Sequence, residues 1–161
     1  MSRDLLTQSI EAYKKIEEVQ NQSQIAMFGD RMGLAVIEFS VPALLADLGI
    51  TELQPGTYTI KVPAGPDKAN RSTWDDMVIP KGAIYKEIIV DTHANKAGAG
   101  SMTPQLGATD LTAVDSIGLV DDSVKKGLVK LPFDDTVRVV IAGDVVTEGA
   151  FTIFIRYFLG N

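Results

Sequence analysis

The first part of the chain carries an apolar pattern with the period of an α-helix. Over residues 3–22, apolar side chains recur every three or four positions, which gathers them on one face of a helix. These residues are Leu6, Ile10, Tyr13, Ile16 and Val19. The polar run at 20–24 then interrupts the pattern and predicts a linker. We therefore expect residues 1–24 to form a helical arm, set apart from a domain that covers residues 25–161.

Beyond the arm, apolar and polar residues alternate, which is the period of β-strands. The alternation is clearest over residues 34–40, 57–62 and 83–91. Segment 83–91 is apolar on both faces, which is typical of an internal strand. Its two predicted faces are Ile84, Ile88 and Val90 on one side, and Tyr85 and Ile89 on the other. Residues 137–141 and 151–157 alternate in the same way, and the loop between them predicts a β-hairpin.

Cap and turn residues predict the connections. Ser40 suits an N-cap, Pro42 a first helical turn and Gly49 a helix C-terminus, so we expect one short helix there. The stretch 93–100 is rich in small residues and predicts a loop. Weaker signals predict strands at 101–106 and 127–131 and a short helix at 111–117. The fold class that follows is mainly β, an antiparallel, jelly-roll-like β-sandwich with the helical arm and one short connecting helix.

The composition excludes several classes of function. The chain has 161 residues, enough for one domain with its own core, and no cysteine, which excludes disulfides and Cys-based metal sites. Its one histidine cannot form a multi-histidine metal site. A net charge of -6 opposes binding to nucleic acid, and no stretch approaches the ~20 apolar residues of a membrane span. Residues 1–15 lack the apolar core of a secretory signal, so we expect synthesis to end in the cytoplasm.

Three pairs of adjacent acidic residues could serve catalysis or bind calcium. The pairs are Asp75 and Asp76, Asp121 and Asp122, and Asp134 and Asp135. Adjacent side chains on an extended segment diverge, and each pair lies beside a predicted strand end, where Asp commonly bonds to the backbone. We therefore interpret them as turn residues and expect no metal ion.

Two single residues suggest other functions. His93 could act as a general base with Asp91 to orient it, but a lone loop histidine is usually just solvated. Trp74 could stack on a sugar, whereas a single tryptophan more often packs in a core. No set of nucleophile, base and oxyanion donors can be assembled from the sequence, so we expect no catalytic residue and no cofactor.

The last strand predicts a second apolar face. Ile153 and Ile155 supply a core-facing side, so Phe154 and Phe158 point the opposite way. That side must be covered by the arm, by another sheet or by a neighbouring subunit, which we interpret as favouring assembly. The arm itself either packs on its own domain or reaches a neighbour. The predicted partner interface comprises Leu6, Ile10, Tyr13, Ile16, Val19, Phe154 and Phe158.

Several segments between residues 57 and 159 resemble small, jelly-roll-like virion proteins of tailed bacteriophages. These segments are Ile79 to Ala83, Asp91 to Ala94, Gln105 to Asp110 and Val146 to Tyr157. They contain a P-x-G turn, an L-G-x-x-D stretch and a terminal T-x-G strand that ends in an aromatic residue. The arm lies outside the resemblance.

The resemblance implies a capsid decoration, or cement, protein that stabilises a shell by bridging neighbouring subunits. Its partners would be the major capsid protein and other copies of itself, often as a homotrimer over local threefold positions. It would be made in the host cytoplasm and sit on the outer surface of the virion. The acidity suits a surface protein that must not bind the genome. The resemblance supplies no catalytic residue.

Two competing hypotheses stay open at this point. One is a receptor- or carbohydrate-binding jelly-roll module of a phage tail or baseplate, with Trp74 and the nearby acids in its site. The other is a small hydrolase that uses His93 and an acid pair, which ranks last because no complete catalytic set exists.

Overall fold

The computed structural model describes Ile10 and residues 32–63, 74–126, 131–132 and 134–159. Over these residues the chain forms an antiparallel β-sandwich, which confirms the predicted fold class. Outside the described residues lie the predictions for Leu6, Tyr13, Ile16, Val19 and the segment 127–130. The boundary between the arm and the domain stays a prediction.

Eleven strands and two short helices make up the described elements. In chain order the elements are β1 (Met32–Ser40), α1 (Val41–Leu48), β2 (Gly56–Thr59), β3 (Lys61–Val62), β4 (Asp75–Asp76), β5 (Val78–Ile79), β6 (Ala83–Ala97), β7 (Ser101–Leu106), β8 (Thr109–Asp110), β9 (Gly118–Asp121), α2 (Ser123–Lys126), β10 (Asp135–Ala142) and β11 (Glu148–Leu159). One sheet has four strands in the order β1-β11-β6-β9. The second has five, in the order β2-β10-β7-β8, with β5 also paired to β10. β3 and β4 pair separately.

The main core lies between the two larger sheets. Alternate residues of β10 and β11 point into it, as the period of two requires. Its fully buried residues from these strands are Val137, Val139, Phe151, Ile153 and Ile155. The ring of Phe39 from β1 stacks on that of Phe151, with centroids 5.2 Å apart. The inter-sheet core therefore uses the residues that the sequence pattern selects.

The predicted connecting helix is confirmed as α1. The Ser40 hydroxyl oxygen accepts a hydrogen bond from the Ala43 backbone N–H at 3.4 Å, and Pro42 lies in the first turn. Gly49 ends the helix in the left-handed conformation, with φ at 67°, which glycine adopts without a steric penalty. Leu44 and Leu45 pack against the inter-sheet core, so α1 covers part of it.

The predicted C-terminal hairpin is wrong, because β10 and β11 belong to different sheets. β10 pairs with β2 and β7, whereas β11 pairs with β1 and β6. The alternating pattern of both strands fits this arrangement, in which each sheet contributes one apolar side to the core between them. Residues 143–147 therefore connect the two sheets.

The predicted loop at 93–100 is wrong for residues 93–97, which extend β6. β11 is long enough to pair with this extension as far as Glu148 opposite Ala97. The small residues that suggested a loop occupy strand positions because the neighbouring strand supplies hydrogen bonds to their backbone. Only residues 98–100 form the turn into β7.

The predicted helix at 111–117 is also wrong. The backbone N–H groups of Leu111 and Val114 donate to the carbonyls of Pro104 and Met102, at 2.8 and 2.9 Å. These bonds hold the segment alongside β7 and leave its N–H groups unavailable for a helix. The second short helix is instead α2, which follows β9.

A β-bulge in β6 changes which of its side chains reach the core. The pairing with β11 moves from Glu87 opposite Arg156 to Tyr85 opposite Tyr157, which leaves Lys86 as an extra residue. Tyr85 therefore lies in the same core cluster as Ile88 and Val90, and not on the side of Ile89 as predicted. The register of β6 with β11 shifts at two further places, on either side of the pairing of Ala94 with Ala150.

Gly100, in the turn between β6 and β7, allows close contact with the 143–147 connection. A Cβ atom at this position would overlap the carbonyl oxygen of Asp144. We expect Gly100→Ala to lower the free energy of unfolding by about 2 kcal/mol, because backbone on one side must move. Gly118→Ala is the control, because a Cβ atom added there would have its nearest contact, the carbonyl oxygen of Ser116, at 4.0 Å. It should change stability by less than about 0.5 kcal/mol. Urea unfolding measures both, and equal losses would contradict the contact.

Candidate functional site

The four-stranded sheet has an apolar surface on the side that points away from the inter-sheet core, which we call the outer face. Ile153 and Ile155 of β11 lie in the core, whereas Phe154 between them belongs to a separate apolar cluster. The strand register places Val36 of β1 and Ile89 of β6 on either side of Phe154. Three adjacent strands therefore present an apolar row across the outer face.

The centre of the outer face is closed to solvent within the chain. Phe154 is 1% exposed and Ile89 3% exposed, although neither belongs to the inter-sheet core. Ile10 of the arm lies in the same cluster and is 5% exposed. The half-buried residues packed against this cluster are Leu34, Val36 and Leu119. A residue of the predicted arm thus covers the outer face of its own sheet.

The predicted interface residues fall into three groups. Ile10 and Phe154 lie together in the outer-face cluster. Phe158 is half-buried, and its register positions are opposite Met32 and Ile84 on the neighbouring strands. The other four arm residues are outside the described part of the chain. The common role of all seven residues in binding a partner stays a prediction. In the single chain, Ile10 packs on its own domain.

Polar side chains border the apolar row on both sides. Next to it along the strands, Arg156 and Glu87 form an ion pair at 3.3 Å. On the other side, the Nε2 atom of His93 lies 3.2 Å from the hydroxyl oxygen of Thr152. An apolar centre with a polar rim is the usual layout of a protein–protein interface.

The outward side of the five-stranded sheet has a different character. Strand register places Thr59, Arg138 and Gln105 in one row on this side. The next outward row holds Val140 between Thr57 and Thr103. These side chains are exposed or half-exposed, which is typical of an antiparallel sheet that faces solvent on one side. The two sheets therefore present unlike surfaces, one apolar and covered at its centre by Ile10, the other polar and open.

The residues around Phe154 that complete the outer face are not among those predicted from the sequence. Leu34 and Val36 occupy the positions between the core-facing residues of β1, so that strand is apolar on both sides, as β6 is. This double apolar pattern was the available signal. Leu119 carries no such signal, because β9 has only four residues.

Asp121 bonds to nearby backbone, as interpreted from the sequence, whereas Asp122 bonds to a residue ten positions earlier in the chain. The carboxylate of Asp122 accepts hydrogen bonds from the backbone N–H of Thr112 at 2.9 Å and from its hydroxyl at 2.7 Å. Asp121 accepts from the backbone N–H of Ser123 at 2.9 Å, at the start of α2. The pair fixes the ends of β9 and α2.

Asp122 should be the most costly of the acids to remove, because it is 2% exposed. We expect Asp122→Ala to lower the free energy of unfolding by about 2–3 kcal/mol, since both donors of Thr112 lose their acceptor. Asp76→Ala is the control at an exposed position of β4, with an expected change below about 0.5 kcal/mol. Thermal unfolding of the two variants measures the difference, and a stable Asp122→Ala protein would exclude the structural role.

Asp134 and Asp135 bond to segments that are distant in sequence, so the interpretation of this pair as turn residues is wrong. Asp134 accepts a hydrogen bond from the Lys81 backbone N–H at 2.7 Å. Asp135 pairs with the Lys126 ammonium at 2.8 Å and accepts from the Tyr85 hydroxyl at 2.9 Å. Burial, and then the negative charge of Asp135, raise the pKa of Tyr85 well above its ordinary value, so the phenol stays protonated and keeps donating. The cluster joins α2, β6 and β10.

The remaining candidates form no catalytic arrangement with one another. Asp75 and Asp76 are exposed on β4, and Trp74 directly before them is half-buried. His93 is exposed and contacts Thr152 in the described structure, not Asp91. Among the residues with described positions, no three His, Asp or Glu side chains gather to hold a metal ion. In the same part of the chain, no helix is long and apolar enough to cross a membrane.

Comparison with known proteins finds similarity of structure only. No family model matches the chain, and no curated protein matches it either. A chain of the acidic stable capsid structure of Helicobacter pylori bacteriophage KHP30 aligns with a TM-score of 0.43 and 15% identity, over 81% of this chain and 89% of that one. A chain of the capsid of Ralstonia phage GP4 gives 0.44 and 16%, over 85% and 89%.

The third structure is a chain of the cyanophage Pam1 capsid asymmetric unit. It aligns with a TM-score of 0.43 and 13% identity, over 87% of this chain and 96% of that one. All three are chains of phage capsid structures.

Proposed function

We propose that the chain is a structural protein of a phage virion, a decoration protein that binds the outer surface of a shell of major capsid protein and stabilises it. The observation that carries the proposal is the contrast between the two sheets. One presents an apolar outer face centred on Phe154, and the other presents a polar side rich in threonine. A decoration protein needs one surface for attachment and one for solvent.

The segments that resemble phage virion proteins occupy structural positions in the sandwich. The P-x-G turn leads into β6, where Gly82 adopts a left-handed φ of 83°. The L-G-x-x-D stretch forms the tight turn between β7 and β8, where Gly107 has a φ of 59°. The terminal T-x-G strand is β11, which carries Phe154. The resemblance therefore concerns two turns of the sandwich and the strand that carries the centre of the outer face.

The arm and the outer face supply the attachment surface in this proposal. Phe154, Ile89 and Ile10 are already buried in the single chain, so the apolar area left for binding comes from the half-buried residues packed against them. These residues are Leu34, Val36 and Leu119. A modest gain per copy matters in binding when it is repeated at many positions on a lattice. The net charge of -6 opposes binding of the chain to nucleic acid. Copies of the chain bridge neighbouring capsid subunits, and a homotrimer over local threefold positions is the arrangement we favour.

Two valines allow a matched test of the proposal. Val36 is half-buried on the outer face, and Val140 is half-buried on the outward side of the five-stranded sheet. We expect Val36→Asp to reduce binding to empty shells of major capsid protein at least tenfold, because it places a charge in the apolar attachment surface. Val140→Asp should bind like the unaltered chain.

Co-sedimentation of each purified protein with empty shells measures the binding, and circular dichroism checks that both variants fold. The unaltered chain should pellet with the shells at a fixed ratio and raise the temperature at which they come apart. Failure of the unaltered chain to pellet, or a loss confined to Val140→Asp, would refute the proposal.

A further inference from the structure

We infer that β1 accepts an extended strand of another chain along its open edge, the side of β1 that does not pair with β11. The four-stranded sheet then gains a fifth strand on the shell. The inference deepens the proposed function and rests on it, since it takes the added strand to come from the major capsid protein. Strand addition binds through main-chain hydrogen bonds, and side chains at alternate positions set its specificity.

β1 is the one long edge strand among the residues that the structure describes. It has nine residues, whereas each of the other edge strands has four or fewer. All nine pair with β11 in one register, without a bulge. Proteins usually protect an edge with short strands, bulges, proline or charged side chains. β1 contains no proline, no lysine and a single charge, Glu38, so its edge is suited to pairing.

One hydrogen bond at the far side of the sheet fixes the direction of the backbone groups in every strand. The backbone N–H of Asp122, next to β9, donates to the carbonyl of Ile88 in β6 at 2.8 Å. The backbone groups of successive residues in a strand point to opposite sides. Those of Ile88 therefore point towards β9, and those of Ile89 point towards β11. Since Ile89 lies opposite Phe154, these two residues bond to each other across β6 and β11.

The same alternation decides which groups of β1 point to the open edge. Ile155 follows Phe154, so its backbone groups point towards β1, where it lies opposite Ala35. The neighbours of Ala35 therefore point away from β11. The N–H and C=O groups of Leu34, Val36 and Glu38 all point to the open edge, and no residue with a described position bonds to them. The edge thus presents three donors and three acceptors in the spacing of a β-strand.

The side chains beside the open edge indicate what the added strand carries. Leu34 and Val36 are half-buried on the outer face, and Glu38 is exposed. Within the described ranges, the Glu38 carboxylate has no ionic partner. Every pairing in the four-stranded sheet is antiparallel, and we take the added strand to continue this pattern. The strand that fits then reads, from its N-terminus, basic, any, apolar, any, apolar, with the basic residue opposite Glu38.

A second copy of β1 fits this edge poorly. The edge-pointing residues of one copy must lie opposite the edge-pointing residues of the other. The antiparallel registers that pair all three then place Glu38 opposite Met32, Leu34 or Val36. Each of these registers sets a carboxylate against an apolar side chain and leaves it without a cation. The charge of Glu38 therefore favours a different chain with a basic residue at that position.

Hydrogen exchange read at single residues tests the pairing. In the free chain, the amides of Leu34, Val36 and Glu38 should exchange at least a hundredfold faster than those of Ala35 and Ile37, which bond to β11. On empty shells of major capsid protein, the three edge amides should slow at least tenfold, because each gains an acceptor.

The edge of β2 in the other sheet supplies the control amides. The backbone N–H of Ile60 donates to the carbonyl of Val137 in β10 at 2.9 Å. Alternation then points the N–H groups of Thr57 and Thr59 away from β10. Their exchange should be the same with and without shells.

Two substitutions at one position separate the backbone donor from the side chain. Val36→Pro removes an edge-pointing N–H and no bond to β11, and edge strands tolerate proline where the N–H faces solvent. Val36→Thr keeps both the N–H and the branched shape. We expect Val36→Pro to reduce co-sedimentation with shells at least tenfold and Val36→Thr to reduce it less than about threefold. Equal losses would contradict strand addition, and circular dichroism checks that both variants fold.

The outcomes distinguish the inference from the proposed function. An unaltered chain that pellets with shells while its three edge amides keep their exchange rate would overturn strand addition and leave the decoration role intact. Slow exchange of these amides already in the free chain would also overturn the inference, because the chain itself would then occupy the edge. If the unaltered chain does not pellet, the decoration role is refuted, and overlapping peptides of the major capsid protein decide the inference. A peptide that slows the three edge amides supports strand addition, and the lack of any such peptide overturns it.

Discussion

Removal of residues 1–24 is expected to abolish binding to capsid shells, with a loss of at least a hundredfold. The deletion removes Ile10 and with it the described contact between the arm and the outer face. It also uncovers Phe154 and Ile89, so the shortened chain loses one side of the attachment surface that the arm and the outer face form together in the proposal. Co-sedimentation with empty shells measures the loss directly.

A point substitution distinguishes loss of the arm contact from general unfolding of the shortened chain. Ile10→Asp keeps the full length and places a charge where the arm meets the outer face, so we expect it to bind shells almost as poorly as the deletion. Its circular dichroism should retain the β-sheet signal, since Ile10 lies outside the inter-sheet core. Unchanged shell occupancy by the deletion would contradict any role of the arm in attachment.

The second large effect is expected from Phe154→Ala, which should lower the free energy of unfolding by about 3–5 kcal/mol. The side chain is buried among Ile10 and Ile89, and its loss leaves a cavity that the strands cannot close. The arm should dock more weakly as a result. Trypsin cleavage after Lys14 and Lys15 should therefore accelerate in the variant.

Phe151→Ala is the matched control, because Phe151 is equally buried but belongs to the inter-sheet core. It should lose about as much stability in urea unfolding while leaving native-state cleavage after Lys14 and Lys15 close to that of the unaltered chain. Equal acceleration of cleavage in both variants would show that Phe154 has no special connection to the arm.

Local patterns in the sequence were enough to predict the parts of the fold that depend on neighbouring residues. The predicted caps of α1, Ser40 and Gly49, were correct because the hydrogen bonds of a helix cap join residues within one or two turns of each other. The alternation in β11 correctly placed Phe154 on the side opposite Ile153 and Ile155. The helix caps and the strand alternation are both local signals, because each depends on residues close together in the sequence.

Strand partners could not be predicted in the same way. The hairpin of β10 and β11 was a reasonable expectation from two adjacent alternating segments, but pairing depends on strands distant in sequence. β11 pairs with β1, more than a hundred residues away, and this choice is invisible in either segment alone. The strand position of residues 93–97 has the same origin, since β11 provides their partner.

The central residue of the candidate site could be predicted from the sequence, but the residues around it could not. Phe154 followed from alternation, but the bulge at Lys86 reverses the side on which Tyr85 lies, so the face of β6 could not be assigned by counting. The interpretation of the acid pairs as local turn residues holds for Asp121, which accepts from the backbone of Ser123, and fails for Asp122, which bonds to Thr112 ten residues away. The burial of Asp122 itself depends on tertiary packing and had no signal in the sequence.

A reconstruction by electron cryomicroscopy of shells saturated with the chain tests the central claim most directly. We predict that the outer face of the four-stranded sheet is buried in contacts within the assembled layer. The polar side of the five-stranded sheet should face solvent. A bound chain whose polar side contacts the shell, with its outer face covered only by its own arm and turned to solvent, would contradict the account.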